Sequence, residues 1–322
     1  MQLRAMKTGE YDHIVWCDLE IVLLKIHSHS PWDTKMVSTC EAPDLTKPTV
    51  NVYICRESDP VFDDPKTYRE NIMRQGSYRG HTFGPPALLK CIDDRNIALS
   101  HPDPGKIIWA YVVKYVLTVS ALEARMLHLK GAAVAYSGKA FLFLGRGGSG
   151  KTEIVKELRK NGAGLLANTH LLINGGLVSG IKSNMRVREN GGEVYVPIGQ
   201  QRDLNAHDGW LPIGGVFWVN YRTDGKTVLE ILPSSHAKAN VQYFSEAIRN
   251  WELKEDIADY SMNPFEFAEM VNRADGLVDE FCESNDIYYA HLDIFSTGGL
   301  ERLMSVMRQA SGPAERESVP AG

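Results

Sequence analysis

One octapeptide constrains this chain more than any other feature. GRGGSGKT, residues 145–152, satisfies G-x-x-x-x-G-K-[ST] at every fixed position. Its glycines, Gly145, Gly147, Gly148 and Gly150, let the backbone curl until successive N–H groups point inward at one anion. Such a loop needs a strand before it and a helix after it. The apolar run AFLFL supplies the first, and EIVKELRK supplies the second. That helix aims the positive end of its dipole at the same point. Lys151 can reach β- and γ-phosphates, and the Thr152 hydroxyl can enter a Mg²⁺ shell. Arg146 and Ser149 complete the loop. The pattern therefore predicts a nucleoside triphosphate site, ATP or GTP, with Mg²⁺.

Composition bounds what the rest of the chain can be. A length of 322 residues is enough for two hydrophobic cores. A hydrophobic content of 43% with 23% charged residues is that of a soluble globular protein. The net charge of −5 offers no attraction to nucleic acid or to a membrane surface. Five cysteines, Cys17, Cys40, Cys55, Cys91 and Cys282, are odd in number and irregularly spaced, with no CxxC pair. This argues against a disulfide framework or a zinc site and fits a reducing cytoplasm. The start, MQLRAMKTGEYDH, lacks the apolar stretch of a signal peptide. The longest apolar stretch, residues 107–122, is about 16 residues and contains Lys114, so a buried helix is expected rather than a membrane span.

The fold class expected is mixed α/β: a P-loop domain over residues 104–310 and a smaller N-terminal α+β region over 1–103. In the first region, residues 14–26 and 49–55 have the β-branched and aromatic content of strands. Asp93 and Asp94 in CIDDRN imitate a metal-binding pair but read as a turn, because Asp and Asn satisfy turn backbone groups. The second region opens with the helix beginning at Pro104. Two apolar runs around Ser137-Gly138 predict a hairpin whose second arm enters the phosphate loop. A helix over 153–160 stops at Gly162 and Gly164, and a strand over 165–173 follows. Further strands are expected at 185–188, 193–198, 216–221 and 227–232, the last two joined by an Asp224-Gly225 turn. Helices at 241–250 and 264–283, a strand at 286–295 and a helix at 299–310 close the domain. The tail, 311–322, is too poor in apolar residues to pack and is expected to be disordered.

The run KGAAVAYSGKAFLFLGRGGSGKTEIVKELRKNGAGLLANTHLLI resembles the catalytic domain of the HPr serine kinase/phosphorylase family and its HPr-kinase-like relatives. A small-residue hairpin with Gly131 and Ala132 precedes the loop, Glu153 follows the Lys-Thr pair, and a glycine-ended helix leads to a second strand. DIYYAHLDIF with its following helix resembles the ending of the shorter HPr-kinase-like proteins, several of which accompany peptide-modification and natural-product pathways. The resemblance implies an ATP-dependent kinase that phosphorylates a hydroxyl of a peptide or small molecule. Its metal positions would be Thr152, Glu153 and the end of the second strand. There the family carries two aspartates, one for metal and one as base, and this chain has Asn168 and Thr169. The family's histidine before the hairpin glycine is Lys130 here. HPr kinases form hexamers, whereas a relative with a different first domain need not, so a homo-oligomer is open.

Neither Asn nor Thr is a general base near neutrality, so substitutes must be sought. His170 shares a face with Asn168 if the strand is regular, and it reads equally as a core histidine. His128 reads as structural. Asp293 ends an apolar run as a strand-terminal carboxylate that could support a metal. GLVDE, residues 276–280, lies in a helical pattern. The stretch from 183 to 210 gathers Arg186, Arg188, Arg202, Asp203, His207 and Asp208. Arg186 and Arg188 share one face of a strand and can neutralise phosphates, and Asp208 is a second candidate base. The rival expectations are a nucleotide-binding regulatory or scaffold protein that has lost catalysis, and a partner-stimulated NTPase.

Overall fold

The structure, a computed structural model, describes residues 11–63, 68–69, 87–146, 148–181, 183–189, 192–196, 209–221, 226–245, 264–293 and 297–311. Its fold is mixed α/β, with sheets that combine parallel and antiparallel strands. The chain divides into two compact units. One comprises Met1–Ala124, Ser183–Gln200 and Glu246–Ala274, and the other Arg125–Lys182, Gln201–Ser245 and Asp275–Gly322. The sequence placed a division at 103/104, whereas the helix that begins at Pro104 belongs with the first unit.

The first unit is built on six strands: β1 (His13–Asp18), β2 (Leu23–Ser28), β3 (Thr49–Ile54), β4 (Tyr68–Arg69), β5 (Leu88–Asp93) and β6 (Asn96–Ser100). They lie in the order β1-β2-β3-β6-β5-β4. The single strand expected over 14–26 is two antiparallel strands, β1 and β2. The chain reverses where Glu20 takes a φ of +69°, its N–H held by the Asp18 carboxylate at 2.8 Å. Lys47 anchors the same carboxylate at 2.7 Å. The Asp93 turn forms as expected: its carboxylate accepts from the Arg95 N–H at 2.9 Å and from Asn96 Nδ2 at 2.7 Å.

Helix α1 (Pro104–Glu123) starts with proline in its first turn behind Asp103, whose side chain accepts from the Lys106 N–H. It widens to a π turn over Ile108–Val112. At 20 residues it exceeds the apolar stretch read from sequence, so by length and composition it could cross a membrane. Most of its apolar window is instead buried inside the protein, including Ile108, Val113, Leu117 and Ala121.

The second unit begins with β7 (Leu127–Lys130), β8 (Ala132–Tyr136) and β9 (Lys139–Leu144), then α2 (Lys151–Lys160), β10 (Gly164–Ala167), β11 (His170–Asn174) and β12 (Leu177–Ile181). The chain then passes through a hairpin of the first unit, β13 (Met185–Glu189) and β14 (Gly192–Val196). It returns as β15 (Leu211–Tyr221), β16 (Val228–Ile231), α3 (Ser234–Phe244), α4 (Pro264–Ser284), β17 (Ile287–Leu292) and α5 (Thr297–Ser311). The sheet path is β10-β8-β9-β15-β12-β11-β7, with β17 on β15 and β16 on β17. β15 is long enough to pair with β12 at its start and with β17 over its second half.

The expected hairpin joins β8 to β9 with Tyr136 opposite Lys139. Ser137 and Gly138 both take positive φ (+47° and +74°), which makes the tight primed turn that matches strand twist. Gly162, at φ +91°, ends α2 as expected. Other expectations are corrected. β15 and β16 do not form a hairpin, because β17 lies between them, and the Asp224-Gly225 turn is outside the described residues. The helix expected at 241–250 starts at Ser234 and ends at Phe244, and residues 246–250 are outside the description.

Strands β9, β15 and β17 run parallel, so their carboxyl ends share one edge. Alternation sends Leu142, Leu144, Val216 and Ile287 to one face, where they cluster with Ala237, Val241, Phe244, Val278 and Phe281. Phe143, Phe217 and Tyr288 stack on the other face with ring centroids 5.5 Å apart at each step. Phe143 and Phe217 are fully buried, and each such ring contributes about 1.5–3 kcal/mol. The strand that feeds the loop is thus held rigidly on both faces.

Candidate functional site

The loop leaves β9 at Leu144 and enters α2 at Lys151. Gly145 is buried against the neighbouring strand: a Cβ there would lie 2.7 Å from the Val219 carbonyl oxygen and collide with the Ser149 side chain. Its constraint is close approach. Gly148 and Gly150 are needed for conformation, with φ of +80° and +91°. The Ser149 N–H bonds the Arg146 carbonyl at 3.1 Å, and the Ile154 N–H bonds the Gly150 carbonyl at 2.9 Å as the helix starts. Gly147 lies outside the described residues. The described residues thus place a glycine turn at the start of a helix whose first N–H groups lack intrahelical partners.

The Lys151 ammonium folds over this turn. It donates to the Gly145 carbonyl, to the Arg146 carbonyl at 3.0 Å and to Ser149 Oγ at 3.4 Å. Burial, and secondarily the charge of Lys130, pull its pKa down to about 8. Both causes disfavour the charged ammonium, and an anion placed beside it would oppose both. Thr152 is exposed in the first turn of α2. Glu153, also in that turn, pairs with Lys156 at 3.2 Å along the helix. Arg146 sits over the ring of Tyr243 on α3, 5.6 Å from its centroid.

Lys130 ends β7, directly opposite His170 on β11. The strand expected over 165–173 is broken. β10 pairs with β8, the chain turns at Asn168-Thr169, and β11 pairs with β7 and β12. His170 therefore does not share a regular strand face with Asn168. It is buried, as is His128, and His128 Nε2 lies 3.0 Å from His170 Nδ1. Asn168 and Thr169 are half-buried at the corner, where the Thr169 carbonyl accepts from the Gly131 N–H at 2.9 Å. Gly131 has no room for a side chain between Leu144 and Leu171.

Asp293 follows the last residue of β17, at the same edge of the parallel strands as the loop. Residues 276–280 are helical, within α4. Arg186 and Arg188 lie on β13, at alternate positions as expected, but in the compact unit that does not contain the loop. Arg202, Asp203, His207 and Asp208 lie outside the described residues. Among the described residues, no three His, Cys, Asp or Glu side chains group as metal ligands.

Sequence reasoning missed one group at this edge. Asn220 Nδ2 donates to Tyr289 Oη at 3.3 Å, and Tyr289 Oη lies 3.5 Å from His291 Nδ1. The available signal was polar residues at alternate positions in two otherwise apolar strands, WVNY and YYAHL.

No protein-family model matches the chain, and no curated protein matches it in sequence.

Proposed function

We propose that this protein is a cytoplasmic ATP-dependent phosphotransferase with an HPr-kinase-like P-loop domain. It transfers a γ-phosphoryl group to a hydroxyl of a peptide or small molecule. The observation that carries the reading is the Gly145–Lys151 turn with its paired cations, Lys151 and Lys130. Backbone N–H groups and the α2 dipole hold the phosphates, Lys151 exchanges its loop carbonyls for phosphate oxygens, and Lys130 adds a second charge. Mg²⁺, when bound, neutralises charge on the β- and γ-oxygens; the Thr152 hydroxyl and the Asn168 carbonyl suit it as hard oxygen donors, with Asp293 as a further carboxylate at the same edge. Five free thiols fit the reducing setting.

Phosphoryl transfer depends mainly on positioning and charge neutralisation, so the missing aspartate pair need not abolish it. Calorimetric titration with Mg·ATP and Mg·GTP, beside radiolabel transfer to serine-bearing peptides, tests the reading. The expected result is saturable binding that Lys151→Ala removes, together with labelled acceptor. No binding by the wild type refutes it. A second reading, a nucleotide-binding regulatory protein without catalysis, is favoured by the neutral Asn168-Thr169 corner. Binding with neither transfer nor hydrolysis would select it.

A further inference from the structure

The row Asn220–Tyr289–His291 lies in the carboxyl-terminal halves of β15 and β17, which run parallel to the strand that feeds the loop. The Val219 carbonyl of β15 closes on Gly145, so Asn220 is the first residue past that contact. Strand register sets Leu144 opposite Trp218, Trp218 opposite Tyr289, and Asn220 opposite His291. Trp218, Asn220, Tyr289 and His291 therefore share one face. Trp218 meets Phe244 there, and the adjacent Tyr243 carries Arg146 of the loop over its ring. His291 is buried, while Asn220 and Tyr289 are half-buried. Ligands of open α/β sheets bind in the crevice beyond the carboxyl ends of parallel strands; Asn220 and His291 are the penultimate residues of β15 and β17, and Tyr289 lies two residues before His291 on the same face.

A phenol has one proton to donate and two lone pairs. Asn220 donates to one lone pair. With the phenolic proton directed at His291 Nδ1, the imidazole carries its own proton on Nε2, and the second lone pair of Tyr289 can take an incoming O–H. No comparable proton acceptor exists at Asn168-Thr169.

We infer that Tyr289 receives the acceptor hydroxyl during phosphoryl transfer, with His291 as the destination of its proton and Asn220 as the residue that fixes the phenol. This rests on the phosphotransferase reading. The acceptor oxygen bonds to the γ-phosphorus as the bond to the β,γ-bridging oxygen breaks, and that electron pair leaves on ADP. The acceptor proton passes to Tyr289 Oη while the phenolic proton passes to His291 Nδ1. The imidazolium returns its proton to solvent after product release. Tyr289 is the catalytic residue; His291 and Asn220 act through it.

The test uses the full chain with Mg·ATP, and water or a serine peptide library as the hydroxyl source. Tyr289→Phe keeps the ring and removes only the hydroxyl. Its kcat should fall by about 100-fold or more, with the Mg·ATP dissociation constant unchanged. His291→Ala should fall similarly and recover in part when imidazole is added, a rescue that a packing role would not give. Wild-type turnover in Tyr289→Phe, or a slow His291→Ala that imidazole does not rescue, overturns the relay. A wild type that binds Mg·ATP but turns it over on neither acceptor also overturns it and leaves nucleotide binding intact. A wild type that does not bind Mg·ATP refutes the phosphotransferase reading itself.

Discussion

On the proposed reading, the lowered pKa of Lys151 makes nucleotide binding depend on pH. Free protein holds the lysine at about 8, chiefly through burial and then through Lys130. Phosphate oxygens beside the ammonium raise that value, so above pH 8 binding must take up a proton. Affinity is complete below the free-state pKa and is lost as pH rises through it. Roughly nine-tenths of the free protein carries the ammonium at pH 7 and roughly one-tenth at pH 9, a fall in affinity of about tenfold, or about 1.4 kcal/mol. A terminal phosphate, whose second pKa is near 6, is already dianionic across this range and adds no slope. The assay is calorimetric titration at pH 7, 8 and 9 in buffers of differing ionisation enthalpy, which counts about half a proton taken up at pH 8. Lys130→Ala removes one cause of the shift and should move the decline to higher pH. Lys151→Arg, always charged, should bind with a flat profile. A flat wild-type profile, or an unaltered decline in Lys151→Arg, refutes the reasoning.

Other perturbations test the frame around the loop. Gly145→Ala drives a methyl into the Val219 carbonyl; it should cost about 1–3 kcal/mol in denaturant unfolding and abolish nucleotide binding. Gly131→Ala, with Leu144 and Leu171 side-chain atoms each 2.8 Å from the new Cβ, should lower stability by a similar 1–3 kcal/mol while binding survives at low temperature. His128→Phe removes the buried 3.0 Å bond to His170 and should destabilise by about 1–3 kcal/mol, read from the urea midpoint. Arg146→Ala loses an exposed contact with Tyr243; thermal unfolding should register no more than about 1 kcal/mol.

Local chemistry was readable wherever the residues act on their own neighbours. Ser137-Gly138, Asp93 with Arg95 and Asn96, and Gly162 each fix a turn or a stop by requirements confined to a few residues. The glycine loop belongs to the same class. What escaped was decided by partners distant in sequence. Residues 165–173 read as one strand, but β8 claims the first part and β7 the second, so the chain must turn at Asn168-Thr169. Asp224-Gly225 invites a hairpin, yet β17, more than fifty residues later, fits between β15 and β16 and pairs with both. The Asn220–Tyr289–His291 row was missed for the same reason: Tyr289 and His291 are neighbours on one strand, but only the register of β15 on β17 brings Asn220 to them. Arg186 and Arg188 show the converse. Their spacing was right, but the hairpin that carries them belongs to the other compact unit.

The departures from the resembled family share an electrostatic sign. Where the family that the sequence resembles carries two aspartates and a histidine, this chain has Asn168, Thr169 and Lys130, which is two negative charges fewer and one positive charge more. That difference of about three charge units is, on the proposed reading, comparable with the charge that a divalent ion brings to a carboxylate-lined site. On the proposed reading, the protein's own cations carry a larger share of phosphate neutralisation than a carboxylate pair would allow, and binding should depend less steeply on Mg²⁺. The cost is the loss of a carboxylate base, since no anion remains at that corner to draw off a proton. A neutral acceptor such as the Tyr289–His291 pair is compatible with a cation-rich site in a way that a carboxylate is not. Next to Lys130 and Lys151, an aspartate would be held ionised, and its basicity would fall with its pKa. On the proposed reading, charge neutralisation by lysine and proton removal by a neutral relay therefore go together.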